Sequence, residues 1–195
     1  MEWWAPGASG VPFAADALAE FDALVGEAVA PVAAAREATV LRDYHAENLI
    51  WLPERAAAAR VGLLDYQDAL AGHAAYDLVS LLEDARRDTT PELREAMLAR
   101  YLDRRGIAPD PFRAALAALG AQRNLKIVGI FARLALRDGK PRYLGLVPRV
   151  WAHLLRDLAH PDLAALRRFV ARHVPAPERP ALGRIAAQAG EGAPA

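Results

Sequence analysis

Behind Asp110-Pro111, apolar residues recur at helical spacing through Leu116, Leu119, Ile127, Phe131 and Leu134, and no stop signal intervenes before Gly139. A segment that long commits the chain to a helical architecture, with Gly120 and Gly129 as the points where it would kink or break. Its neighbours follow the same period. Leu18, Phe21, Leu24, Val25 and Val29 predict a helix over residues 16 to 30 behind an N-cap at Asp16, with Pro31 just beyond. Leu78, Leu81, Leu82 and Ala85 form a second stripe, and Thr90-Pro91-Glu92 supplies cap, N1 proline and first-turn acid for a helix ending near Gly106. Two more helices are expected over 147 to 158 and 163 to 170, and Pro175, Pro177 and Pro180 mark a loose tail over 176 to 195. Only Leu49-Ile50-Trp51-Leu52 and Val61-Gly62-Leu63-Leu64 read as strands, a small buried antiparallel hairpin in a helical bundle.

With 54% hydrophobic and 25% charged residues in 195, the chain can bury a sizeable core. Its formal net charge is zero and it has no basic tract, which argues against a nucleic-acid partner. No cysteine is present, so disulfide frameworks, thiol nucleophiles and thiolate zinc sites are excluded. The N-terminus lacks the basic and apolar regions of a secretory signal. No apolar run approaches the roughly 18 residues of a membrane span, and a cytoplasmic location is the expectation.

The chemistry-bearing stretch is Leu41-Arg42-Asp43-Tyr44-His45-Ala46-Glu47-Asn48, followed by Asp65 directly after the second strand. A hairpin returns the chain to where it began, so Asn48, entering one strand, and Asp65, leaving the other, should meet at its open end. Hard Mg²⁺ takes amide and carboxylate oxygens together with phosphate oxygens. That pair could therefore hold the metal of a nucleotide while Asp43 accepts a hydroxyl proton, the division of labour of phosphoryl transfer. Taken alone, an Asp five positions before an Asn is also what a loop rich in Asx turns produces.

With Gly72-His73-Ala74-Ala75-Tyr76-Asp77-Leu78 downstream, the pattern resembles the C-terminal lobe of the aminoglycoside phosphotransferase family. Gly62-Leu63-Leu64-Asp65-Tyr66-Gln67-Asp68-Ala69, Tyr76-Asp77-Leu78-Val79-Ser80-Leu81-Leu82-Glu83-Asp84 and Gln122-Arg123-Asn124-Leu125-Lys126 narrow it. They are similar to segments of the bacterial anomeric kinases that phosphorylate N-acetylmuramate and N-acetylglucosamine at C1 in cell-wall recycling. The resemblance implies a mainly helical lobe of a protein-kinase-like fold whose small hairpin carries the site. It also implies ATP and Mg²⁺ as cofactors, Asp43 as catalytic base, Asn48 and Asp65 as metal ligands, and Asp77 bracing the loop. Leu41 stands where many relatives carry His, which alters the packing beneath the loop.

Other polar residues have two readings. Tyr44 and His45 either contact substrate or nucleotide or hold the loop from inside, and Gln67 and Asp68 either reach metal or sugar or cap the turn after Asp65. Glu83, Asp84, Arg86 and Arg87 read as a solvated helix face, Trp51 and Trp151 as core. Between residues 123 and 156 the only acid is Asp138, against Arg123, Lys126, Arg133, Arg137, Lys140, Arg142, Arg149 and Arg156. That field suits an anionic amino sugar better than a polycationic aminoglycoside. Arg123 beside Asn124 is the candidate reader of a carboxylate, a basic solvated surface being the other reading.

A kinase of this architecture also needs a strand lobe with a phosphate-covering loop and a lysine, and residues 1 to 40 contain neither. The expectation is a catalytic and acceptor lobe over 1 to 175, its nucleotide lobe missing or held by a partner, with apolar surface around Leu41, Leu49, Trp51 and Leu64 left open to self-association. The alternatives are a non-catalytic sugar-binding kinase remnant and a kinase of aminoglycoside or other small-molecule hydroxyls.

Overall fold

A computed structural model describes residues 1–192. The helices are α1 (Trp4–Ser9), α2 (Ala15–Ala33), α3 (Ala75–Leu82), α4 (Pro91–Arg105), α5 (Pro109–Leu136), α6 (Val147–Asp157), α7 (Ala164–His173) and α8 (Arg179–Ala187). Four three-residue strands, β1 (Ala38–Val40), β2 (Leu49–Trp51), β3 (Val61–Leu63) and β4 (Leu70–Gly72), complete the secondary structure apart from short 3-10 turns. Among these residues no helix is long and apolar enough to cross a membrane.

The 28-residue α5 is the axis of the fold, and it runs unbroken through both glycines. Gly120 serves close approach rather than a kink, because a β-carbon there would sit 2.6 Å from Oδ2 of Asp157 on α6. One face of α5 joins α1, α2, α6, α7 and α8 in the larger core, which includes Trp4, Val128, Leu136, Leu154 and Ile185. Its N-terminal part, with Phe112 and Leu116, joins Val79 of α3 and Leu98 and Leu102 of α4 in a smaller one. Trp4 is fully buried and its indole N–H donates to the carbonyl of Pro175 at 2.8 Å, tying the two ends of the chain together.

The helix signals around α4 act as read: Thr90 Oγ1 accepts from the Leu93 N–H at 3.2 Å, Pro91 occupies N1, and Gly106 ends the helix at φ 60°. Others are shifted. α2 starts at Ala15, so Asp16 lies in the first turn instead of capping it, and Pro31 sits within the last turn, where the helix tolerates one missing N–H. α5 starts at Pro109, which leaves Asp110 in its first turn. α3 stops at Leu82, although Ala85 beyond it is still buried.

Five expectations are corrected. A second strand pair exists: β1 runs antiparallel to β4, with Ala38 opposite Gly72 and Val40 opposite Leu70. The β2–β3 hairpin, paired Leu49 to Leu63 and Trp51 to Val61, is not buried. Trp51 is 64% exposed, whereas Trp151 is core. Glu83 and Asp84 are interior, not solvated: Arg94 of α4 reaches Glu83 Oε1 at 2.6 Å and Asp84 Oδ1 accepts the Arg86 N–H at 2.9 Å, while the Arg86 and Arg87 side chains do face water. The chain after Pro175 is no loose tail: Pro180 opens the first turn of α8, and Ile185, fully buried, packs on Gly7 and Leu136. The last three residues of that expected tail lie outside the described residues.

Candidate functional site

Residues 41–48 leave β1 and turn sharply before entering β2. The carboxylate of Asp77, in the first turn of α3, accepts the N–H of Leu41 at Oδ2 (2.7 Å) and that of Arg42 at Oδ1 (3.0 Å). Arg42 sits at φ 71°, a left-handed conformation that an arginine adopts only when its surroundings enforce it. Asp43 follows with its side chain toward solvent. Its carbonyl accepts from His45 N (3.0 Å) and from Asn48 Nδ2 (2.9 Å), closing the loop on itself.

Asn48 is the hinge between loop and hairpin. Its Nδ2 is committed to Asp43 and lies 3.5 Å from His45 Nε2, which leaves the amide oxygen free among the described residues. Its carbonyl accepts from Leu64 N at 2.9 Å, so the last residue before β2 is bonded to the residue just before Asp65. Asp65 is exposed at φ 53°, and Gln67 Nε2 donates to its Oδ1 at 2.5 Å. The structure therefore gathers Asp43, Asn48 and Asp65 at one end of the hairpin. Gln67 attaches to that group through Asp65, and Asp68 is exposed beside it.

Tyr44 turns the other way, half-buried against a cavity of about 700 Å³ that it shares with Asp77, Leu78 and Leu81 of α3 and Tyr101 of α4. Burial, reinforced by the Asp77 charge, raises its phenol above the ordinary range. Burial also raises the Asp77 carboxyl, against the lowering effect of the two N–H donors and of Arg123, and the nearby Asp43 adds to the rise.

Arg123 and Asn124 are not brought to the open cleft. Asn124 is fully buried and donates through Nδ2 to Glu83 (2.7 Å) and to Asp157 (2.9 Å). Arg123, 7% exposed, donates through Nη2 to Ser80 Oγ at 2.9 Å. The basic stretch forms no single field. Arg149 grips Asp88 at 2.7 Å, Arg137 grips Asp138 at 2.6 Å, and Lys126 donates to the Tyr76 hydroxyl at 2.9 Å. Sequence reasoning missed Ser80 and the Glu47–Arg86 ion pair (3.0 Å), because neither belongs to a local pattern. The oxygen donors at the hairpin end, the Asn48 amide and the Asp65 carboxylate, are of the class that a hard cation takes.

Residues 3–117 match the model of the phosphotransferase enzyme family. An N-acetylmuramate/N-acetylglucosamine kinase of Caulobacter vibrioides is 50% identical over 181 residues, 90% of this chain and 49% of the relative. Kinases of the same name from Pseudomonas putida (38% identity; 68% of this chain, 40% of theirs) and Pseudomonas aeruginosa (35%; 87% and 51%) are also similar. The chain spans about half the length of these curated relatives or somewhat less.

Proposed function

The chain belongs to the phosphotransferase enzyme family, and on that premise we propose that it is the catalytic and acceptor half of a kinase that moves the γ-phosphoryl group of ATP to the anomeric hydroxyl of an amino sugar. The observation that carries this reading is the convergence of Asp43, Asn48 and Asp65 on one end of the β2–β3 hairpin, behind a loop held by Asp77. Asp43 is the residue whose carboxylate takes the proton of the acceptor hydroxyl, since it is exposed on a loop whose backbone is fixed on both sides. The Asn48 amide oxygen and Asp65 would hold Mg²⁺, which when bound neutralises charge on the phosphates. Asp77 orients Asp43 by fixing the two preceding peptides, and the His45 ring near Asn48 Nδ2 helps to keep the amide oxygen turned outward.

The amino-sugar acceptor is supported by the names of the relatives, N-acetylmuramate/N-acetylglucosamine kinase. The test combines this chain with the N-terminal half of the Caulobacter relative and follows transfer from Mg²⁺-ATP to each sugar by phosphorus NMR. The expected product is the sugar 1-phosphate, with Asp43→Asn lowering kcat by about 10²-fold or more. Phosphate on another hydroxyl, or undiminished turnover by Asp43→Asn, overturns the reading.

A further inference from the structure

Arg42, the residue before Asp43, is held from two directions. Asp77 takes the N–H of Arg42. Its carbonyl faces the other way, toward the hydroxyl of Ser80, one turn further along α3, at 3.5 Å. Ser80 is fully buried, and its Oγ accepts the 2.9 Å bond from Arg123 Nη2. With its lone pair engaged by a guanidinium, the single Ser80 proton is free to point at the Arg42 carbonyl. The chain Arg123, Ser80, Arg42 thus runs from the middle of α5 through α3 to the residue beside the proposed base.

We infer that Arg123 is a positioning residue, which holds the left-handed Arg42 peptide through Ser80 and supplies the positive charge beneath the loop that keeps the Asp77 clamp closed. Three observations bear on it. Arg42 has φ 71°, so the loop needs restraint to stay in that conformation. Arg123 is buried without a carboxylate partner in hydrogen-bond contact, and its Nη1 has no acceptor among the described residues, an expensive placement for a guanidinium. Its charge faces Tyr76, Glu83, Asp43 and Asp84, and it is the cation that lowers the Asp77 carboxyl against burial. Without it, Asp77 would face Asp43 and the Tyr44 phenol with no compensating charge, and a protonated Asp77 accepts two N–H bonds less well. This role differs from reading a substrate carboxylate, for which the group would have to reach the open cleft.

The inference rests on the loop being catalytic, as proposed above, but its test requires no turnover. Amide exchange and the pH titration of the Leu41 and Arg42 amide proton shifts, which report Asp77, are measured by NMR on this chain and its variants. Ser80→Ala should speed exchange at residues 42 and 43 by about tenfold, the size of one bond to a charged donor network, while α7 and α8 stay protected. Arg123→Met should do the same and also move the Asp77 titration to higher pH. Arg123→Lys should restore the titration, because it keeps the charge, without restoring the exchange protection. The double variant Ser80→Ala, Arg123→Met should exchange no faster than Arg123→Met alone. Unchanged exchange in Ser80→Ala, additive effects in the double variant, or an Asp77 titration indifferent to Arg123→Met each overturn the inference. If Arg123→Met does not fold, Ser80→Ala and Arg123→Lys decide it by the same readouts. Failure of the sugar-kinase assay with intact exchange coupling would remove the proposed function and leave this linkage standing.

Discussion

At the scale of single residues the interior of α5 is the most demanding part of the molecule. Asp157 is pinned by Asn124 Nδ2 and lies 3.6 Å from Arg94, and it occupies the space that a side chain at position 120 would need. Gly120→Ala therefore forces a short, tethered carboxyl to move. Helix propensity alone would favour alanine by about 1 kcal/mol, so a net loss of about 2 kcal/mol, seen as a fall in Tm of about 6 °C, would isolate the cost of the blocked approach. Burial and the neighbouring Glu83 push the Asp157 carboxyl up to about 9, whereas an unfolded Asp titrates near 4. Between those values the unfolded chain gives up a proton that the folded chain keeps, so this group removes stability progressively as pH rises and costs nothing below the lower value. Asp157→Asn is neutral throughout. Its urea midpoint, compared at about pH 5 and about pH 8, should change less than that of the parent; an equal change in both proteins would mean that Asp157 is not the group responsible.

The elements differ in how much of themselves they announce. α4 and the β2–β3 hairpin were legible because each carries its own local signals, a Thr-Pro-Glu start and two apolar runs around a proline loop. The β1–β4 pair was not, since each strand is three residues long and its partner lies about thirty positions away with no shared turn. The same holds for the interior charges: Glu83 and Asp84 sit in a run that looks solvated, and Glu83 becomes an interior residue only because Arg94 of α4 and Asn124 of α5 reach it from distant parts of the sequence. Within the candidate site, Asp43, Asn48 and Asp65 could be found from spacing and hairpin geometry, but the Ser80 to Arg123 connection crosses 43 positions and leaves no trace in sequence. Around α8 the prolines misled, because Pro180 reads as a breaker yet occupies the first turn, where its missing N–H costs nothing. Ile185→Ala should lower stability by about 3 kcal/mol in a denaturation curve, the cost of a cavity in a closed core; a loss below about 1 kcal/mol would return α8 to the status of a tail.

Taken whole, the molecule is a helical body with its candidate site at the base of an exposed hairpin. Residues 1–37 contribute α1 and α2 but no strand, so they hold no strand-flanked loop of the kind that covers phosphates in a kinase. Calorimetry on this chain should therefore find Mg²⁺-ATP binding at about millimolar Kd or weaker, strengthening on addition of the N-terminal half of the Caulobacter relative. Micromolar affinity of the chain alone would show that its own residues clamp the phosphates. The exposed hairpin has an optical consequence. Of the four tryptophans, Trp4 and Trp151 are buried, Trp3 is half-covered, and Trp51 at the end of β2 is 64% exposed, with the Arg60 guanidinium 5.9 Å from its ring centre. The red edge of the fluorescence should belong to Trp51 and be the part most quenched by iodide. The hairpin thus carries a built-in reporter at its turn end, opposite Asn48 and Asp65: whatever packs on that end should shift the emission toward the blue and shield it, with no label attached.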